Sequence, residues 1–534
     1  MFFSSTRFTF SQIAGQPFFF LFCIDFKLYN MKLFFTCLSS FLLFSIHAQN
    51  VSLDPTFGNA GVVITPNTSE INATAIAADG SIFNAGYTIQ AGISGIYHLC
   101  VSKHTSDGSP ASGFGTNGLV NTSVNYSEMP YDIVLQADGK ILVAGSAYLG
   151  PTPSGPGDYR SFVVRYLSDG TPDPSFATNG IFQLSYSNSH FTSILMQNNG
   201  SMLLVGNAGN QACIVKLTSN GTPDNGYGSG GVKFIGDVSY FLIAWGGISL
   251  GDGATLVYGY EASDWENTKV TCAKLDAQGN FVTAFGQGGK AIFDTFDSDS
   301  VIDPVVEFAY KAIELPDGKI ILNGQSMNKL ILKLQPNGTL DSGFAVNGIL
   351  NHSFPSTDIQ VQTDGKILLG GSDLISDYNY GLTITRLNSN GSLDLSFDGI
   401  GHFTTDISPE NDYFQTLELI SPDKLIVGGS SRYSNFEANF MLVKIDISQS
   451  LGISATKPEQ FSVFPNPFTN KLSFSTNGLE LSRITLVDAT GRIVNHFASF
   501  ENNTLYFDGL SSGMYQLVIT TISGENKQIN VIRE

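Results

Sequence analysis

The chain has 534 residues, enough for several domains, with 56 glycines, 12% aromatic residues and only 14% charged ones. Its formal net charge of −19, offset by no long Lys/Arg run, argues against a nucleic-acid backbone or an anionic membrane surface as partner. Gly-punctuated, aromatic and β-branched composition favours strands and tight turns.

Residues 31–48, MKLFFTCLSSFLLFSIHA, hold one basic residue, Lys32, then an apolar run ending on a small residue. That is the layout of a secretory signal peptide cleaved between Ala48 and Gln49. Residues 1–30 do not fit it, so translation is expected to start at Met31 and the preceding segment to be a misplaced extension. No later stretch reaches about 18 uninterrupted apolar residues, and no transmembrane anchor is expected. Of the five cysteines, Cys23 and Cys37 precede the cleavage position. Cys100, Cys213 and Cys272 lack CxxC or metal-ligand spacing and fall in equivalent apolar strands, where inert buried thiols are expected.

From residue 49 the chain repeats. LDPTFGNAG (53–61) returns in variant form, its aromatic residue recurring as Phe57, Phe114, Phe176, Tyr227, Phe285, Phe344 and Phe397, 51 to 62 residues apart. Between copies lie QADGKILVAG (136–145), LPDGKIILNG (315–324) and QTDGKILLGG (362–371). A third phrase, VVRYLSDGTPDPSF (163–176), leads into the next copy. Such self-similarity decides the architecture. In residues 131–185 an alternating segment, an Asp-Gly turn of the type I′ hairpin kind, a return strand, a variable loop, a third strand and a fourth make one four-stranded blade.

Seven second strands and seven third strands follow in order, but the last unit (ending at 446) lacks a fourth strand. GVVIT (61–65) is left over at the front. The expected fold is all-β: a seven-bladed β-propeller over 49–446, its N-terminal strand closing the last blade. A sandwich array or an open solenoid is the alternative. The three phrases resemble the bacterial delta-60 repeat family over roughly residues 50–448, which implies propeller-like architecture and no established chemistry. The second repeat departs from it with Ala111-Ser112-Gly113, and the fifth with Val282-Thr283-Ala284.

A base stands at one position of every third strand: Lys103, Arg165, Lys216, Lys274, Lys333, Arg386 and Lys444. Turn acids Asp54, Asp173, Asp224, Asp341 and Asp394 suit strand-to-turn ties better than a ring of ligands. The repeated Gly and Asp-Gly read as turn chemistry. Up-and-down connectivity puts these uniform turns on one face and the irregular connections (149–160, 261–268, 293–307, 373–380, 431–437) on the other. Loops on a rigid scaffold are where sites sit. Trp265 falls in one such loop, and Trp245 is expected to open an inner strand near the channel mouth. With Tyr159, Tyr378, Tyr380 and Tyr433 they could stack on sugars, anchor a protein partner or merely cap the blade ends. Asp297, Asp299 and Asp303 in FDTFDSDSVIDPVVE (293–307) are a candidate calcium site without calcium-loop spacing; no other cofactor is expected. There is no HExxH and no GxSxG elbow, and carboxylate pairs of glycosidases leave no sequence mark.

After a polar linker (447–460), residues 461–534 have the size and strand spacing of a small immunoglobulin-like β-sandwich. FSVFPNPF (461–468), DATGRIV (488–494) and LSSGMYQLVI (510–519), with Pro465, Asn466, Pro467, Gly491, Gly513 and Tyr515, resemble the type A C-terminal sorting domain of the type IX (Por) secretion system. The resemblance implies a Bacteroidota-type exporter, passage through the type IX machinery, and a secreted or surface-displayed product. The expected function is non-catalytic binding of a glycan or protein through the irregular rim. A polysaccharide hydrolase or lyase and a structural surface protein are the alternatives.

Overall fold

Alternation of apolar and polar residues around each Asp-Gly builds a hairpin whose register the turn sets. These turns differ from the expected type I′ form. Only the glycine has a positive φ (Gly139, 82°); Gly139 N donates to Gln136 O at 2.9 Å and Gln136 N to Lys140 O at 2.8 Å. The result is a three-residue loop, a type I turn closed by a left-handed glycine. The Asp138 carboxylate accepts Lys140 N at 3.3 Å, and Asp79, Asp317 and Asp364 do the same for Ser81, Lys319 and Lys366. The aspartate recurs because this local bond needs a short acceptor side chain.

A computed structural model describes residues 51–534 apart from 90–94, 152–156, 210, 237–240, 263–267, 296–305, 377–378, 410, 435–436, 449–461, 476–480, 489–492, 498–502, 508 and 522–525. The expected extension, the signal peptide with Ala48 and Gln49, most of the linker, Trp265, Tyr378, Asp297, Asp299, Asp303 and Gly491 lie outside the described residues, as does the side chain of Tyr433.

Among the described residues the structure is all-β, a propeller-like series of repeated antiparallel sheets. Six are four-stranded and follow chain order, the first running Glu70–Ile76, Ile82–Ile89, Tyr97–His104, Leu119–Thr122. A seventh holds Asp412–Ser421, Lys424–Ser434 and Glu437–Asp446. Against Glu437–Asp446 pair two N-terminal pieces: Val62–Thr65, with Val62 opposite Val443 and Thr65 opposite Phe440, and Ser52–Leu53, opposite Asp446 and Ile445. The second piece is not among the expected strands, being only two residues long.

Each sheet shares a buried apolar cluster with the next, and the seventh shares one with the first through Phe440, Leu442, Ile71 and Cys100. Cys100, Cys213 and Cys272 are buried free thiols, each pushed up to about 12 by burial, which keeps them protonated and inert.

The recurring aromatic residue locks neighbouring sheets. Phe57, Phe114, Phe176, Phe344 and Phe397 are fully buried. Phe176 lies against Gly221 of the next sheet's third-to-fourth turn, where an added Cβ would come within 2.6 Å of the ring; Phe114 meets Gly170 and Phe344 meets Gly391 in the same way. The residue after each ring then donates its N–H across: Gly115 to Asp169 O at 2.9 Å, Ala177 to Asn220 O at 2.8 Å, Ala345 to Asn390 O at 2.8 Å.

The repeated base completes the lock. Arg165 lies 4.5 Å over Phe176 and bonds Asp173 at 2.9 Å; Arg386 lies 4.6 Å over Phe397 and bonds Asp394 at 2.7 Å. Lys216 pairs with Asp224 and Lys444 with Asp54. Three sheets differ: Lys319 takes Asp341 while Lys333 bonds Ser389 O; Lys274, whose turn has Val282-Thr283-Ala284, takes Asp252; and Lys103, whose turn has Ala111-Ser112-Gly113, lies 4.9 Å over Phe83 of its own sheet.

The C-terminal unit has two sheets around a core of its own, including Phe468, Leu472, Ile484, Leu486, Leu505, Leu517 and Val531. One holds Ser462–Phe464, Lys471–Ser475 and Thr504–Tyr506; the other holds Ile493–Phe497, Leu481–Asp488, Gly513–Thr521 and Asn526–Arg533. The Pro465-Asn466-Pro467 motif is tied to the last strand. Asn466 Oδ1 accepts Ile532 N at 2.9 Å and Phe468 N donates to Ile532 O at 2.8 Å. Tyr515, near the start of the Gly513–Thr521 strand, donates its hydroxyl to Ser511 O at 2.8 Å.

Candidate functional site

The glycine that ends each second phrase is not turn chemistry. Gly145, Gly206, Gly259 and Gly429 lie within second strands, and an added Cβ there would stand 2.0–2.1 Å from the carbonyl oxygen of Met129, His190, Ile243 or Tyr413 on the inner strand. The inner backbone presses in because it carries an extra residue. Pairing skips from Ile71 to Ala73, Pro130 to Asp132, Phe191 to Ser193, Ala244 to Gly246, Ala309 to Lys311 and Phe414 to Thr416. Such bulges re-aim a side chain. The skipped residues are Asn72, Tyr131, Thr192, Trp245, Tyr310 and Gln415. All six, with Thr357 just ahead of the short Asp358–Val361 strand, line one cavity of about 920 Å³. Many of its lining residues come from the first halves of the inner strands, so it lies on the side of the irregular connections.

Trp245 is therefore placed differently from the expectation. It sits in the middle of Phe241–Ser249, not at its opening, and is thrust into the cavity by the bulge. It stacks on Phe308 with centroids 4.8 Å apart and planes 18° apart, yet remains 46% exposed. Tyr159 is exposed beside Tyr148, and Tyr380 stacks on Tyr413 at 5.9 Å. Neither Tyr159 nor Tyr380 lines the cavity, so the structure does not bring them together with Trp245.

The cavity holds charged groups that carried no sequence mark. Asp132 accepts Ile133 N at 2.8 Å and, from the next sheet, Ile194 N at 2.7 Å. Asp358 accepts Ile359 N at 2.8 Å and Leu417 N of the next sheet at 3.0 Å. Ser193 Oγ accepts Gly247 N at 3.0 Å in the same way. These three occupy the position after the extra residue, or its equivalent, and staple sheet to sheet; burial raises Asp132 above the usual carboxylate range. Lys311 Nζ lies 3.1 Å from Asp358, whose charge, against the effect of burial, holds the ammonium well above its ordinary range.

Among the described residues Glu418 has no such hydrogen bond. Half-buried and enclosed in the cavity wall, it is pushed up to about 8 by burial, with Lys311 pulling it partway back, so its carboxyl is mostly protonated at neutral pH. His190 is kept neutral by burial and pairs through Nε2 with Asn207 Nδ2 at 2.9 Å. Among the described residues no group of three His, Cys, Asp or Glu is arranged to hold a metal ion.

A propeller-like series of repeated sheets with a separate C-terminal β-unit is the class this geometry defines. Residues 136–176, 197–227, 315–344 and 362–397 match a family model described as a domain of unknown function (DUF5122) beta-propeller, and residues 462–533 match a secretion system C-terminal sorting domain. The chain carries both, as the two resemblances implied. The tail implies export by type IX secretion to the cell surface or beyond, and no helix among the described residues is long and apolar enough to cross a membrane.

A search of curated proteins finds no match. Among solved structures the chain is similar to a protein of unknown function from Dyadobacter fermentans (10% identity, 74% of this chain and 100% of that one, TM-score 0.38). It is also similar to a protein from Lactobacillus plantarum (12%, 63% and 88%, 0.39) and to the polysaccharide lyase Uly1 (10%, 73% and 92%, 0.45). Likenesses at this level carry no argument about activity.

Proposed function

We propose that the chain is an exported glycan-binding protein: a seven-bladed propeller, closed by its N-terminal strand, whose central cavity takes a saccharide, with an immunoglobulin-like sorting domain behind it. The pairing of Val62–Thr65 with Phe440–Val443 and the apolar cluster joining the seventh sheet to the first support the ring. The sorting tail supports a Bacteroidota-type exporter, and the apolar segment at 31–48 supports entry by signal peptide.

The observation that carries the binding reading is Trp245. One face of its indole is backed by Phe308 while the side chain stays half exposed in a cavity edged by short polar side chains. An aromatic face among hydrogen-bonding groups is what a sugar ring needs. Tyr159 and Tyr380 do not line the cavity and form no part of this reading. Glycan and polysaccharide arrays on the full chain, with product analysis, test this. Saturable binding that Trp245→Ala abolishes is expected, and silence across the array contradicts it.

The enzyme reading is favoured by one feature, Glu418, a protonated carboxyl with no structural partner among the described residues. New reducing ends or unsaturated products that disappear in Glu418→Gln would move the assignment to a polysaccharide hydrolase or lyase.

A further inference from the structure

Two lysines line the cavity, and they differ in what surrounds them. Lys311 is neutralised by Asp358. Lys329, the first residue of the Lys329–Leu334 strand, has neutral partners among the described residues: Gln325 Oε1 at 3.3 Å and the Tyr310 ring at 5.5 Å. No carboxylate among the described residues comes within ion-pairing distance of it. A partly buried cation without a counter-charge is costly to keep in a wall, and an anion supplied from outside would relieve that cost.

Lys329 also stands at the end of a continuous surface. Trp245 stacks on Phe308 at 4.8 Å, Phe308 packs on Tyr310 at 5.8 Å, and Tyr310 lies beneath the Lys329 ammonium, all facing one cavity. The surface thus runs from a platform for a ring to a point charge. The charge of the acids nearby is partly offset or absent. Asp132 and Asp358 are engaged by backbone N–H groups and Asp358 also by Lys311, while burial keeps Glu418 protonated.

We propose that the cavity selects acidic saccharides, and that Lys329 receives a uronate carboxylate while Trp245 carries a sugar ring. This rests on the glycan-binding reading above. It makes Lys329 a specificity determinant and leaves the staple acids and the turn-face cations out of recognition.

The test is calorimetric titration of the full chain with a panel of oligouronates (galacturonate, glucuronate, mannuronate and guluronate) and with the same oligosaccharides after carboxyl reduction, which keeps ring and linkage but removes the charge. At least one oligouronate should bind roughly tenfold or more tightly than its reduced form, as a charge-assisted hydrogen bond allows. Lys329→Met should erase that difference while leaving the reduced ligand's affinity unchanged, and Lys329→Arg should keep most of it. Matching unfolding midpoints for the two variants exclude a folding defect. Reduced ligands binding as well as the acids, or Lys329→Met weakening both alike, would overturn the proposal and leave the glycan reading standing. Failure of every saccharide, acidic and reduced, would overturn both.

Discussion

The two ends of the sheets are built by opposite rules. At the turn end the same side chains recur because most sheets join the next in the same way, with an aromatic ring seated against the neighbour's glycine, an N–H donated across and, at Phe57, Phe176, Tyr227, Phe344 and Phe397, a cation over the ring. At the cavity end the backbone device recurs, a bulge facing a glycine, but the side chain it presents changes at every sheet: Asn72, Tyr131, Thr192, Trp245, Tyr310, Gln415. Repeated chemistry goes with scaffolding here, and repeated geometry with varied chemistry goes with the candidate site.

Substitutions at the two ends should separate stability from binding. Phe176→Ala should have the largest effect, about 3–5 kcal/mol in denaturant unfolding, with affinity per folded molecule unchanged. Asp173→Ala leaves Arg165 facing the ring without its carboxylate and should cost about 1.5–3 kcal/mol. Gly259→Ala, at the cavity end, should move both readouts. Its Cβ would stand 2.0 Å from Ile243 O, so the bulge carrying Trp245 must shift, costing about 1–3 kcal/mol and weakening saccharide binding together. Trp245→Ala should change stability by less than about 1 kcal/mol, because the side chain is 46% exposed, and still remove binding.

Titration sharpens the same contrast. Burial opposes ionisation of Asp394, but the Ser396 hydroxyl, Lys366 and Arg386 outweigh it and hold the carboxyl down at about 2. Its contribution is present above the ordinary aspartate range and is lost as pH falls from about 4 towards 2. Glu418 has the opposite sign. Raised to about 8, it favours the folded chain at low pH and costs stability as pH rises from the ordinary glutamate range through 8. Unfolding midpoints against pH should therefore drop on the acid side in the native chain and in Glu418→Gln alike, while the decline between about pH 5 and 8 should flatten only in Glu418→Gln.

Much of the scaffold is legible in the sequence because repetition reports on it. The Phe57-to-Phe397 series, the Asp-Gly turns and the unused GVVIT segment all follow from spacing. The turn type is not, because Asp-Gly serves both a two-residue loop and a three-residue loop with a left-handed glycine; only backbone angles separate them. Ser52–Leu53 is too short to carry any alternation. The site is mostly hidden. Trp245 is marked by its rarity, but a bulge shifts register by one residue, and alternation along 241–249 cannot reveal where. The available signal is the glycine inside each second strand: a residue with no side chain, facing a sheet that needs none, reports a neighbour pressed close. Lys311, Asp358 and Glu418 come from three different sheets, so their meeting is a product of the fold alone.

The chain has two tryptophans, Trp245 and Trp265, so the Trp265→Phe protein reports on the cavity alone. The decisive measurement is its emission during titration with a saccharide shown by calorimetry to bind. A saturable change in Trp245 emission, with a midpoint matching the calorimetric affinity, is the predicted result. Calorimetric saturation with Trp245 emission unmoved would place the ligand elsewhere and contradict the account.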